Sequence, residues 1–166
     1  MPTITLFQVT RAATLALSLA AAWAADGAVP KTGDAAVTIV TTTEAVWMPG
    51  PAVFPNGLEL SVLQGDPFKE GPFVVRLRAP AGYRIPVHVH GGAEHVTIIT
   101  GDLLVGAGKT FDAATLRRLA PGDFVSIPGN VPHYATTTSG VTMQVHGIGP
   151  LTITCLEDHQ GHAPAK

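Results

Sequence analysis

The sequence has a single cysteine, and Asp, Glu, Lys and Arg together make up only 13% of its 166 residues. One thiol cannot close an internal disulfide, so the fold rests on its core and not on covalent staples. That residue, Cys155, sits in the strand-like run LTITCLED and reads as a small packed hydrophobe, not as a nucleophile. With 10 Lys and Arg against 12 Asp and Glu, there is no basic stripe to neutralise phosphates, which excludes DNA and RNA as partners. Lys, Glu and Gln are sparse outside turns, while 18 glycines and 14 prolines punctuate the chain. That balance favours short strands joined by turns over helices. The apolar share of 46% is enough for one buried core.

The N-terminus reads separately. Arg11 is followed by an apolar run from Ala12 to Ala22 and by Ala22-Trp23-Ala24, a small-residue cleavage pattern. The run falls short of the ~20 apolar residues that a membrane helix needs. Residues 1–24 are therefore expected to be a secretory signal peptide cut after Ala24. The mature chain is then exported, periplasmic or secreted, and holds no membrane segment. Residues 25–43 are expected to be an N-terminal arm, 44–157 a β-barrel and 158–166 a flexible tail.

Between the arm and the tail, short apolar or alternating runs recur between turn residues. They include LELSVL from 58, FVVRLR from 73, HVTIIT from 95, DLLVG from 102, TLRRL from 115, DFVSI from 123, VTMQVHGI from 141 and LTITCL from 151. Eight or more strands at this spacing indicate a sandwich or barrel. The stretch from Ala35 to Thr43 is rich in Thr and Val and also suits a strand, whereas WMPGPAVFPNG reads as a loop. In FVVRLR, Phe73, Val75 and Leu77 alternate with Val74, Arg76 and Arg78, which turns the arginines outward.

The chemistry concentrates in GYRIPVHVHGGAEHVTIITG, residues 82–101. In a strand, positions i and i+2 share a face, so His88 and His90 project together. Gly91-Gly92 supports a tight reversal, after which Glu94 re-enters the sheet beside them and His95 points the other way. Three protein ligands leave a site that a facing strand can complete. The candidate is His133 in GDFVSIPGNVPHYA, behind the rigid turn built by Pro128-Gly129-Asn130 and Pro132.

This stretch resembles the first motif of the cupin superfamily, G(x)5HxH(x)3E(x)6G, at Gly82, His88, His90, Glu94 and Gly101. The second motif, G(x)5PxG(x)2H(x)3N, is met at Gly122, Pro128 and His133. Asn130 replaces its inner glycine and Thr137 its closing asparagine. Asparagine tolerates left-handed backbone better than most residues, so the first replacement is permissible. More loosely, the chain is similar to small cupins related to the metal-binding domain of ChrR anti-sigma factors. The cysteine-bearing zinc segment of those proteins has no counterpart in these 166 residues. The resemblance implies an all-β fold, a double-stranded β-helix or jelly roll. It also implies one divalent transition metal ion (Fe, Mn, Ni, Co, Cu or Zn) held by His88, His90, Glu94 and His133.

Four protein ligands on a six-coordinate ion leave room for water, dioxygen or a bidentate substrate, which permits Lewis-acid or oxygen chemistry. The expected function is a metal-dependent enzyme, an oxygen-using oxidoreductase or a related Lewis-acid catalyst, on a small organic molecule. The alternative is a non-catalytic cupin that binds or senses a small ligand. The expected pocket lining is Val96, Ile98, Phe124, Ser126 and Ala135, with His146 as the candidate acid or base, and Tyr83 and Arg84 as candidates for the rim. Trp47 covers an end of the barrel or packs against it. Barrel edges invite pairing, so a homodimer is expected.

Overall fold

The computed structural model describes residues 37–157. The expected signal peptide, most of the arm and the tail with His159 and His162 lie outside the described residues. Among those described, no helix is long and apolar enough to cross a membrane.

Alternation of apolar and polar side chains builds two antiparallel sheets. Their strands are β1 (Met48–Pro49), β2 (Glu59–Gln64), β3 (Gly71–Ala79), β4 (Arg84–His90), β5 (Glu94–Gly101) and β6 (Leu103–Ala107), then β7 (Arg117–Leu119), β8 (Phe124–Ile127), β9 (His133–Thr136), β10 (Val141–Gly149) and β11 (Ile153–Cys155). The larger sheet runs β1-β2-β3-β10-β5-β8 and the smaller β11-β4-β9-β6-β7. From β4 onward nearly every connection carries the chain to the other sheet, and only β6 and β7 are sequential partners. Two sheets wound together in this way form the jelly roll expected from the sequence. Inward residues of β3, β5 and β10 (Phe73, Val75, Val96, Ile98, Met143 and Val145) are nearly fully buried. Each contributes on the order of 1.5–3 kcal/mol of apolar burial.

Special backbone sits at the corners. Gly101 has φ +76°, and a Cβ there would meet the Gly140 carbonyl oxygen at 1.8 Å, so only glycine fits. Asn130 has φ 62°, the left-handed geometry that its place in the second motif demands. Several local readings need correction. From Val37 to Thr43 there is no strand; Thr41 instead receives Glu44 in a turn, its N–H and hydroxyl donating to the carboxylate at 3.0 and 2.8 Å. The loop WMPGPAVFPNG contributes the two-residue strand β1, paired to β2. Thr115 of TLRRL closes the 3-10 turn Ala113–Thr115, which Asp112 caps, and only Arg117–Leu119 is strand.

Candidate metal centre

His88 and His90 lie on β4, Glu94 opens β5 and His133 opens β9, so both sheets supply the cluster. The β4–β9 register slips between Ile85 and His88, with an extra residue on β4. This bulge lets Ile85 and His88 both face the interior although they are three residues apart. His88 is then directly opposite His133 across the ladder. The loop before His133 leans on the reversal after His90: the Asn130 N–H donates to the His90 carbonyl at 2.7 Å. A Cβ at Gly129 would meet the Gly91 carbonyl oxygen at 2.6 Å.

The ring contacts fix what the cluster can do. The Nδ1–H groups of His88 and His133 donate to the Pro86 and Val131 carbonyls at 2.8 and 2.9 Å, and that of His90 makes a longer bond, 3.4 Å, to Thr152. A carbonyl only accepts, so each of these bonds places a proton on Nδ1, and in the neutral ring Nε2 is then a lone pair. Yet Nε2 of His88 lies 3.1 Å from Nε2 of His90, and Nε2 of His133 is buried without a hydrogen-bond partner. Two acceptors in contact and a third without a donor form an unstable arrangement unless a cation sits among them. One ligand atom from each of the three imidazoles lies within 4.8 Å of the others.

Glu94 completes the arrangement. Its Oε2 lies 3.3 Å from His90 Nε2 and 3.6 Å from His133 Nε2, and the residue is only 8% exposed. Burial alone would raise this carboxyl; positive charge at the Nε2 atoms of His133 and His90, a proton or a bound cation, outweighs it and holds Glu94 below the usual carboxylate range. Burial, joined by the neighbouring His133, pushes His88 down to about 3, so its ring stays neutral and free to ligate. The three imidazoles make a group that fits a divalent transition ion, and the carboxylate beside two of them would reduce its net charge to +1.

The cluster lines one end of a narrow interior cavity of about 60 Å³. The rest of the wall is apolar: Phe54, whose ring meets His88 edge-on at 4.9 Å, with Leu60, Val75, Val96, Val125 and Met143. Val96 and Ala135 line the cavity as expected, and Ile98 packs into the adjoining core. Phe124 and Ser126 do not: they point outward, and Val125 and Ile127 take their places. The edge strand β8 carries apolar side chains on both faces, so its pattern did not show which faced in.

His146 is also displaced. It pairs across from His95 on the outer face of the larger sheet, with ring centroids 5.0 Å apart and Phe124 stacked on His95 at 6.0 Å. The inward positions of β10 belong to Met143 and Val145. Tyr83 and Arg84 do not rim the cavity. Tyr83 is buried, and its hydroxyl donates to the Pro55 carbonyl. Arg84 pairs with both Glu157 oxygens and stacks over Phe111. Trp47 packs beneath Arg78, whose guanidinium lies 4.2 Å from its ring centroid. Cys155 Sγ donates to the Val53 carbonyl at 3.2 Å, and burial raises its thiol.

No family model and no curated protein matches the chain. Solved structures do. A proposed acetylacetone dioxygenase of Methylibium petroleiphilum aligns at TM-score 0.60 and 23% identity, over 81% of this chain and 90% of that one. The dimethylsulfoniopropionate (DMSP) lyase DddQ of Ruegeria pomeroyi aligns at 0.55 and 23%, over 68% and 61%. An RmlC-like cupin of Shewanella frigidimarina aligns at 0.53 and 17%, over 67% and 89%. These identities speak for the fold alone. The order of strands, the two motifs and these likenesses agree on it: residues 37–157 fold as a cupin.

Proposed function

We propose that the chain is a metal-dependent enzyme, an oxygen-using oxidoreductase on a small organic molecule that chelates through two oxygens. One observation carries the reading: three Nε2 lone pairs, fixed by Nδ1 bonds to backbone carbonyls, converge beside a buried carboxylate in an otherwise apolar cavity. His88, His90, His133 and Glu94 would hold the ion, which supplies Lewis-acid and, if redox-active, oxygen chemistry. The chain's own part is to orient and to exclude. The carbonyls of Pro86 and Val131 hold two rings in place, and Phe54 and the valines keep bulk water from the cluster. Inside the cavity no Lys, Arg or second carboxylate stands ready to pair with a charge, so the part of a substrate that enters is weakly polar apart from its chelating oxygens. The activity proposed for the Methylibium structure is consistent with such a substrate.

A second reading has its own observation. Apart from the cluster, the cavity wall holds no titratable group to serve as general acid or base. A protein that only holds a small ligand on its metal needs none. Oxygen uptake separates the two. With Fe(II), Mn(II), Cu(II) or Zn(II) loaded in turn and 2,4-pentanedione as probe, uptake with a redox-active ion but not with zinc supports the enzyme. Ligand binding without uptake for every ion and a panel of chelating carbonyl compounds supports the holder. Export and pairing into a homodimer remain proposals from sequence; Ile99, Phe124 and Ile148, exposed on the outer face of the larger sheet, are compatible with pairing.

A further inference from the structure

The barrel is not sealed all round. β7 and β8 are edge strands of different sheets, and each pairs on one side only, β7 with β6 and β8 with β5. They leave the turn at residues 120–123 without bonding to each other, and the seam between them opens into a cleft of about 580 Å³. Its walls include Val105, Val125, Ile127 and His133, which also line the interior cavity. The cleft therefore ends against a ring of the candidate metal centre.

Its chemistry differs from that of the cavity. Leu119, Phe124, Val125 and Val131 make it largely apolar, and Arg117 is the one Lys, Arg, Asp or Glu in its wall. On β7, Arg117 and Leu119 share the face toward the cleft. The neighbouring Arg118 points the opposite way and pairs with Asp102 at 3.1 Å. No carboxylate among the described residues lies within ion-pair distance of Arg117. A cleft of a few hundred Å³, apolar with one directing cation, has the make-up of a site for a small organic anion.

We infer that the β7–β8 cleft binds an aliphatic carboxylate, with its carboxylate on Arg117 and its carbon chain running along Leu119 and Val125 toward His133. This deepens the function proposed above by naming the substrate class, and it rests on that reading only for the reaction. The substrate would then be a chelating carbonyl compound with an anionic tail, its head entering the cavity and its tail held in the cleft.

The test is hexanoate against hexanamide, a neutral analogue with the same chain. Binding is measured by calorimetry and by methyl NMR shifts, on the protein as purified and after chelation. The expected result is that hexanoate binds about 10-fold more tightly than hexanamide. Shifts should fall on Leu119, Val125 and Val131, and the affinity should survive chelation. Arg117→Gln should remove the preference and Arg117→Lys should restore part of it; Arg117 is exposed, and unchanged melting temperatures would show both variants folded. Equal affinities, a preference untouched by Arg117→Gln, or binding lost on chelation would overturn the assignment. The last of these would place the carboxylate on the metal instead. Failure of the oxygen-uptake experiment with the cleft result intact would sink the enzyme reading alone.

Discussion

Asp102 offers a sharp test of how the barrel is held, just past the far end of β5 from Glu94, about 25 Å along the strand. Only 3% exposed, its carboxylate accepts from the backbone N–H groups of Thr138 (3.3 Å) and Ser139 (2.9 Å). It also takes the hydroxyls of Thr137, Thr138 and Ser139 and faces Arg118. Asp102→Asn keeps the shape but turns one acceptor oxygen into a donor. The hydroxyls can rotate away; whichever way the amide flips, one backbone N–H and the Arg118 charge lose their partner. A hydrogen bond to a charged group contributes about 1.5–3 kcal/mol, so the change should cost about 3 kcal/mol. For a domain of this size that lowers the melting temperature by about 10 °C at pH 7. Burial alone would raise this carboxyl, but the bonds from Ser139 and Thr138 outweigh it and hold it well below its usual value. The stability it confers is thus fully present above the unfolded value of about 3.9 and is lost progressively as pH falls below it. Thermal unfolding of both proteins from pH 7 to pH 3 should show a gap that narrows on the acid side. A gap under about 3 °C at pH 7, or one unchanged at pH 3, would mean that the ionised carboxylate does not hold this corner together.

Three further outcomes follow from the site. Chelation should lower the melting temperature by about 10 °C if the metal had been present at about 100 times its dissociation constant, a stabilisation of about 2.7 kcal/mol; differential scanning calorimetry before and after metal removal reads this directly. Glu94→Gln should weaken metal binding by at least about 10–100-fold, because the neutral amide no longer offsets the ion's charge; competition against a chelating dye measures it. Gly129→Ala should cut metal affinity more than it cuts stability in the metal-free state. Its Cβ would press on the Gly91 carbonyl and part the two ligand-bearing segments. Equal losses in the two states would count against that coupling.

The clustering of the candidate ligands was the most legible part of the sequence because parity holds along an unbroken stretch of strand. His88 and His90 had to share a face, and His95, next to Glu94, had to leave it; it now sits outside against His146 and Phe124. The rule fails where both faces of a strand carry apolar residues. In FVSI the aromatic went outward to stack on His95, and the two aliphatic residues went in. Long-range partners were not legible either. Thr137 stands where the second motif has asparagine, and it donates to Asp102, which the strand pattern showed only as the first residue of the run DLLVG. Tyr83, next to the motif glycine, reaches 28 residues back to Pro55. The cleft at Arg117 exists only because β7 and β8 are edges of different sheets, which is a property of topology.

If His88, His90, Glu94 and His133 hold one metal ion and His95 does not, metal analysis of protein purified without an affinity tag will show it, for the parent chain and for His133→Ala and His95→Ala. One equivalent of a divalent transition metal is expected in the parent and in His95→Ala, and loss of that metal in His133→Ala. Full occupancy in His133→Ala, or an empty site in His95→Ala, means that other residues hold the ion.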